Sequence, residues 1–332
     1  MSLPPDAPLH STTYDERHSA MSEQLPQIAP PSSRRTPLLV GAAVVVVLAV
    51  VAAVFLTRGD DAGAAAGEKA PKVVLGTVGA SDPYWRTFTD AAAEEGIDVE
   101  VRDFADYTQP NPALAEGELD VNQFQHLVYL AEYNVANDGD IVPLGSTAIY
   151  PLGLYSQKYD SVDDIQDGDT VVVPDDDSNQ ARGLLILQSA GLISLKDGGS
   201  IYSTLADIDQ DASRVQVKAI KADLTPTSLP DVAAAIVNND FVEKAGLEFE
   251  DALATDDPED PKALPYVNVF AVRAEDRDDP TLLKLVEIYQ DTQAVQDGVQ
   301  DVSGGTAEMV EIPQDELQTA LDEVEADTAA QQ

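Results

Sequence analysis

Arg182 stands in "TVVVPDDDSNQARGLLILQ", in the first turn of a helix expected to start directly after an apolar strand. Free backbone N–H groups and the positive end of the helix dipole converge at such a start, so a cation there calls for an anion beside it. A guanidinium grips a carboxylate through two parallel hydrogen bonds, which makes a pocket for a small anionic or zwitterionic ligand one reading. Internal pairing of Arg182 with Asp175, Asp176 or Asp177 is the other. A second cluster, "DVNQFQHLVYLAEYN" from Asp120 to Asn134, gathers Phe124, His126, Tyr129 and Tyr133. Read as a helix, it either packs an aromatic face into a core or forms one wall of a binding pocket.

Other chemistries find little support. No G-x-S-x-G elbow, H-E-x-x-H, Walker loop or G-x-G-x-x-G is present. His126 is the only histidine after His18, and nothing nearby positions a serine for it. Asp175, Asp177 and Asn179 alternate like the start of a calcium loop, but Gln180 replaces the required glycine and Ile186 the closing glutamate. No metal, cofactor or catalytic centre is therefore expected, and the chain is not read as an enzyme. Cysteine is absent, which excludes disulfides, thiol catalysis and lipid attachment through sulfur. With 19 Lys and Arg against 60 Asp and Glu, and a formal net charge of −41, nucleic acid is not a partner. The acid is a solvated surface on a body with 44% hydrophobic residues.

The elements that must position these residues alternate. "KVVLGTV" reads as a strand, "SDPYWRTFTDAAAEEG" as a helix with Asp82 as cap, Pro83 at its first position and Gly96 as its stop, and "IDVEVRDF" as a second strand. This βαβ unit predicts parallel strands. Further strands are expected in "DIVPL", "DTVVVPDD", "SRVQVKAI", "VAAAIVN" and "PYVNVFAV", with helices capped at Ser178 and begun at Pro280. Ligands of open α/β sheets bind beyond the carboxyl ends of strands, which points to 175–179, to Asn238 and to the loop "ADYTQPN".

Ahead of this body, "TPLLVGAAVVVVLAVVAAVFLT" from Thr36 to Thr57 carries no charge, and about 20 apolar residues span a bilayer. Arg34 and Arg35 precede it, so residues 1–36 are expected in the cytoplasm, 37–57 as a single-pass membrane anchor, 58–71 as a linker and the rest on the extracellular side. A cleaved signal peptide is the rival reading, but its apolar region is shorter and nearer the N-terminus.

Several segments recur in one order: "DYTQPN" at Asp106, "GELDVNQFQHLVYL" at Gly117, "YPLGLYSQKY" at Tyr150, "SNQARGLLILQ" at Ser178, the Gly191 to Gly198 spacing and "PYVNVFAVR" at Pro265. Together they resemble the NlpA/MetQ family of methionine-binding proteins, the substrate-binding components of ABC importers, over roughly Lys72 to Gln300. The resemblance implies an α/β, two-lobed periplasmic-binding-protein (type II) fold, with a hinge of two crossing segments near Ile149 to Tyr155 and Leu264 to Phe270. Residues 72–150 and 266–303 would form lobe 1, 151–265 lobe 2, and 304–332 an acidic tail or frayed helix.

It further implies that Arg182 clamps a ligand carboxylate, that Asn238 and Asn268 are amide partners for its polar ends, and that Tyr107, Phe124, His126 and Tyr129 form an aromatic slot for a thioether. Asn111 and Tyr150 are further candidates, and Trp85 is placed to cover the slot. The implied partners are methionine or a related amino acid, an ABC permease and ATPase complex, and the membrane through 37–57. Alternatives are D-methionine or a methionine dipeptide as ligand, or a membrane-anchored sensor or interaction protein that keeps the scaffold without transport. The sequence departs from the family pattern "N-D-P-S-N-x-G-R" at Asp175, Asp177 and Ala181, and it lacks the acylated cysteine of family lipoproteins.

Overall fold

In a computed structural model, residues 70–331 are described. The anchor and tail expected from residues 1–57, and nearly all of the linker, lie outside the described residues. Among the described residues no helix is long and apolar enough to cross a membrane.

The chain opens with β1 (Lys72–Thr77), the helix Pro83–Glu94 and β2 (Asp98–Asp103), and β1 and β2 pair in parallel from Lys72↔Asp98 to Thr77↔Asp103. Pro83 begins that helix, while Asp82 stands at the N-cap without a side-chain cap bond. The helix buries Tyr84, Trp85, Phe88 and Ala92, a stripe repeating every three to four residues that faces the sheet. Next come β3 (Val121–His126), β4 (Ile141–Ser146) and the short β5 (Ala148–Ile149). The chain then enters a second body through β6 (Gly153–Tyr155), β7 (Thr170–Pro174), β8 (Gln216–Ile220), β9 (Ala234–Val237) and β10 (Ala254–Thr255). It returns through β11 (Asn268–Arg273) and ends with β12 (Glu308–Met309) and the helix Gln314–Gln331.

Two five-stranded mixed sheets result, ordered β2-β1-β3-β11-β4 and β10-β6-β9-β7-β8, with β12 paired to β5 beside them. Each sheet forms a lobe. The chain crosses between them twice, from Ile149 to Gly153 and from Thr255 to Asn268, and the return carries the 3-10 turns Pro261–Tyr266. Within each lobe the central strands are parallel and one returning strand is antiparallel, β11 in the first and β6 in the second.

Three expectations need correction. The stretch from Asp120 is not one helix: a strand runs through His126, and the helix Leu127–Asn137 starts only after it. All six residues of β3 are buried, so the alternation that marks a half-exposed strand is missing. Its polar side chains are satisfied internally, with Asn111 bonded to both Asn122 and Gln125. Trp85 does not cover a slot; it is 2% exposed, in the first-lobe core against Phe88 and Tyr289. The segment after Gly304 is no frayed tail. Its terminal helix buries Leu317, Leu321, Val324 and Thr328, a stripe at helical spacing, in the core formed with Leu127, Leu130 and Ile141.

Candidate ligand-binding cleft

A narrow cleft, with a free cavity volume of about 20 Å³, lies where the two lobes meet. Its lining includes all seven residues picked out from the sequence: Tyr107, Phe124, His126, Tyr129, Arg182, Asn238 and Asn268. They arrive by different routes. Phe124 and His126 sit at the carboxyl end of β3, and Asn238 directly follows β9. Asn268 pairs in register with His126 across β3 and β11. Arg182 projects from the helix Asp177–Ser189, which follows β7. A Cβ on the neighbouring Gly183 would stand 3.2 Å from Ile236 Cγ1 and 3.4 Å from Val173 Cγ1, so glycine lets this helix lie close on its sheet.

One end of the cleft is polar and tightly ordered. The cap of the Arg182 helix is Asp176 rather than Ser178: its Oδ1 accepts from Asn179 N at 3.0 Å and from Asn179 Nδ2 at 2.8 Å. Asn179 is thereby held with its Oδ1 accepting from Asn238 Nδ2 at 2.9 Å. Asn238 Oδ1 is buried with no partner among the described residues. A buried acceptor left bare is costly, on the order of 1–3 kcal/mol, unless a donor reaches it. A ligand ammonium supplies such a donor.

Arg182 is almost fully buried and pairs with none of Asp175, Asp176 or Asp177. Its Nε donates to Asp256 Oδ2 at 2.5 Å, its Nη2 donates to the Tyr150 carbonyl at 2.7 Å, and its guanidinium carbon lies 4.4 Å from the Tyr266 ring centroid.

His126 serves as the N-cap of the helix Leu127–Asn137, its Nδ1 accepting from Tyr129 N at 3.2 Å. That bond places the ring proton on Nε2, which faces Asn179 Oδ1 at 3.4 Å from the opposite lobe. Burial, reinforced by the Arg182 charge, lowers His126 to about 3, so the imidazole is neutral and acts as a donor of fixed direction. Its ring meets Tyr266 edge-on at 5.4 Å.

The other end is aromatic. Tyr107, Phe124 and Tyr129 stand 5.8 to 6.2 Å apart between ring centroids, and Phe241 of the second lobe closes on Tyr107 at 5.3 Å. Tyr107 donates to Asp240 Oδ2 at 2.7 Å, joining the lobes, and Tyr129 donates to the Tyr107 carbonyl at 2.9 Å. Burial raises Asp240 to about 6, against the opposing effects of the Tyr107 hydrogen bond and Lys244. Outside the cleft lining, Glu132 Oε2 accepts from Ser178 N at 3.1 Å across the lobes. Burial first, then the carboxylates of Asp176 and Asp177, push Glu132 up to about 8.

Sequence reasoning missed Asp240, Asp256 and Tyr266 as parts of this site. Asn179 falls at the end of the 175–179 stretch to which the strand end pointed. Asp256 had no such signal, because it stands in "TDDPEDP" among many surface acids. Of the further candidates, Tyr150 lines the cleft, whereas Asn111 is buried behind it, bonded to Gln125.

A small zwitterion with an apolar tail matches this arrangement: a cation and a bare acceptor at one end, neutral donors between, and a ring-lined slot at the other. The family model described as NlpA lipoprotein matches residues 73–310. A probable D-methionine-binding lipoprotein MetQ of Pasteurella multocida (strain Pm70) is 34% identical over 252 residues, 74% of this chain and 90% of that protein. The substrate-binding protein of a methionine transporter from Streptococcus pneumoniae superposes with a TM-score of 0.67 at 32% identity, over 72% of this chain and 95% of its own. A nutrient-binding protein from Burkholderia cenocepacia, solved bound to methionine, gives 0.66 at 36% identity, over 71% and 99%.

Proposed function

We propose, from the premise that the chain belongs to the NlpA lipoprotein family, that it is a substrate-binding protein that captures methionine between its lobes and delivers it to an ABC permease and ATPase complex. The observation that carries this reading is the pairing, in one cleft, of the buried Arg182 with the unpartnered Asn238 Oδ1 opposite the slot of Tyr107, Phe124 and Tyr129. Arg182 takes the ligand carboxylate and Asn238 Oδ1 the ammonium, while His126 and Asn268 close over the polar end. The thioether lies among the rings, where a polarizable sulfur gains about 0.3–1.5 kcal/mol per favourable contact. Arg182 and Asn238 arise from lobe 2 and Tyr107, Phe124, His126 and Tyr129 from lobe 1, so a ligand touching both favours closure.

A membrane anchor at 37–57 belongs to the same proposal. What supports it is the uncharged apolar run after Arg35 and the absence of any cysteine for acylation. The anchor takes the place of the family's lipid and leaves the lobes outside the cell. Calorimetric titration of the purified full-length chain with L-methionine tests the reading. Saturable one-to-one binding is expected, and no binding by folded protein refutes it. D-methionine, run in the same titration, reports the stereochemical preference.

A further inference from the structure

Arg182 reaches the cleft from lobe 2, yet its two side-chain hydrogen bonds and its ring contact are all with segments that carry the chain between lobes. Tyr150 belongs to the outgoing crossing, Tyr266 to the return, and Asp256 lies at the start of that return. Asp256 is shared: its Oδ2 accepts from Arg182 Nε at 2.5 Å while its Oδ1 accepts from Leu152 N, on the outgoing crossing, at 2.8 Å. The Asp256 N–H also donates to the Leu152 carbonyl at 3.4 Å. One carboxylate therefore ties both crossings to the guanidinium.

The donor geometry makes this consequential. A guanidinium carries five N–H donors, one on Nε and two on each Nη. Asp256 takes the Nε proton and the Tyr150 carbonyl takes one on Nη2, which uses up the side edge of the fork. Among the described residues the end edge, Nη1 with the second proton of Nη2, has no hydrogen-bond partner, and it remains for an incoming carboxylate.

We infer that Asp256 is a positioning residue for Arg182, holding the guanidinium against both interlobe crossings so that its end edge faces the cleft before any ligand arrives. The ligand half of the inference rests on the methionine reading above; the positioning half does not. Because the restraint comes from the crossings rather than from lobe 1, it persists when the lobes part. The carboxylate of the ligand then docks first, on a preformed site, and the aromatic wall closes afterwards.

The test uses the full-length chain in two measurements. Nitrogen-15 spectra of arginine side chains, without ligand, should show an exchange-protected Arg182 Nε–H, assigned by its loss in Arg182→Lys. It should disappear in Asp256→Ala and persist in Asp256→Asn, which keeps an acceptor. In calorimetry, the preference for L-methionine over L-methioninamide, which lacks the carboxylate, should fall about tenfold in Asp256→Ala and recover in Asp256→Asn. In an Arg182→Ala background the Asp256 substitution should change nothing further. A protected Nε–H surviving in Asp256→Ala, equal losses for both ligands, or additive losses would overturn the inference. If the unaltered chain binds neither compound, the methionine reading fails, and the Nε–H signal alone still decides whether Asp256 positions Arg182. If Asp256→Ala does not fold, Asp256→Glu, which displaces the carboxylate by one methylene, takes its place in both measurements.

Discussion

The cleft turns on a few polar atoms whose directions are fixed by neighbours. Asn179 sits at the centre: Asp176 orients its amide, and the amide oxygen in turn orients Asn238 and faces His126. Such a chain leaves Asn238 with one free acceptor and Arg182 with one free edge, and both are of use only to a ligand carrying a donor and a carboxylate. Arg182→Ala should weaken methionine binding by roughly a hundredfold, since a charge-assisted bidentate contact is lost and Asp256 is left unpaired. Calorimetry checks this, and a loss below threefold would assign Arg182 to internal pairing alone. Arg182 was legible in the sequence because a cation in a first turn breaks a local rule. Asp256, about seventy residues on, was not, because no local rule marks which surface acid will fold back onto it.

Among the elements, β3 and the terminal helix show where sequence patterns mislead. β3 is buried on both faces and carries Asn122, Gln123 and Gln125, so its polarity follows the hydrogen bonds made inside the lobe rather than exposure to water. Phe124 and His126 line the cleft despite this change of element, because both stand toward the strand's carboxyl end. The helix Gln314–Gln331 looked like a tail because its exposed positions are acidic, yet its apolar stripe fills the first-lobe core. Leu321 is 1% exposed there. Leu321→Ala should therefore cost about 3 kcal/mol, measured by chemical denaturation, while methionine affinity at saturating stability stays within about twofold. An unchanged denaturation midpoint would return this helix to the status of a tail. The βαβ start and the Pro280 helix were readable throughout, since their capping and Pro signals coincide with the apolar periodicity.

At the scale of the whole molecule, bringing the lobes together buries acids from both sides. Glu132 of lobe 1 rises to about 8 and Asp240 of lobe 2 to about 6. Both carboxyls bond across the lobes, Glu132 to Ser178 and Asp240 to Tyr107, so parting the lobes should return them toward the ordinary carboxylate range, and closure should take up protons. The sign follows: below the open-state values both acids are protonated in either state and closure carries no charge penalty. Above about 8 both are ionised, and the full penalty is present. Methionine should bind more weakly as pH rises from about 5 to about 9, by at least tenfold, and Glu132→Gln should flatten the upper part of that profile. His126, lowered to about 3, contributes nothing in this window. Affinity that rises with pH over the same range would contradict a closed form held through these carboxyls.

The most direct measurement is a crystal structure of the methionine complex. The account predicts the ligand carboxylate within hydrogen-bond distance of the Arg182 end edge, its ammonium on Asn238 Oδ1, and its sulfur among Tyr107, Phe124 and Tyr129. A methionine bound with these ends exchanged, or bound outside the interlobe cleft, would contradict it.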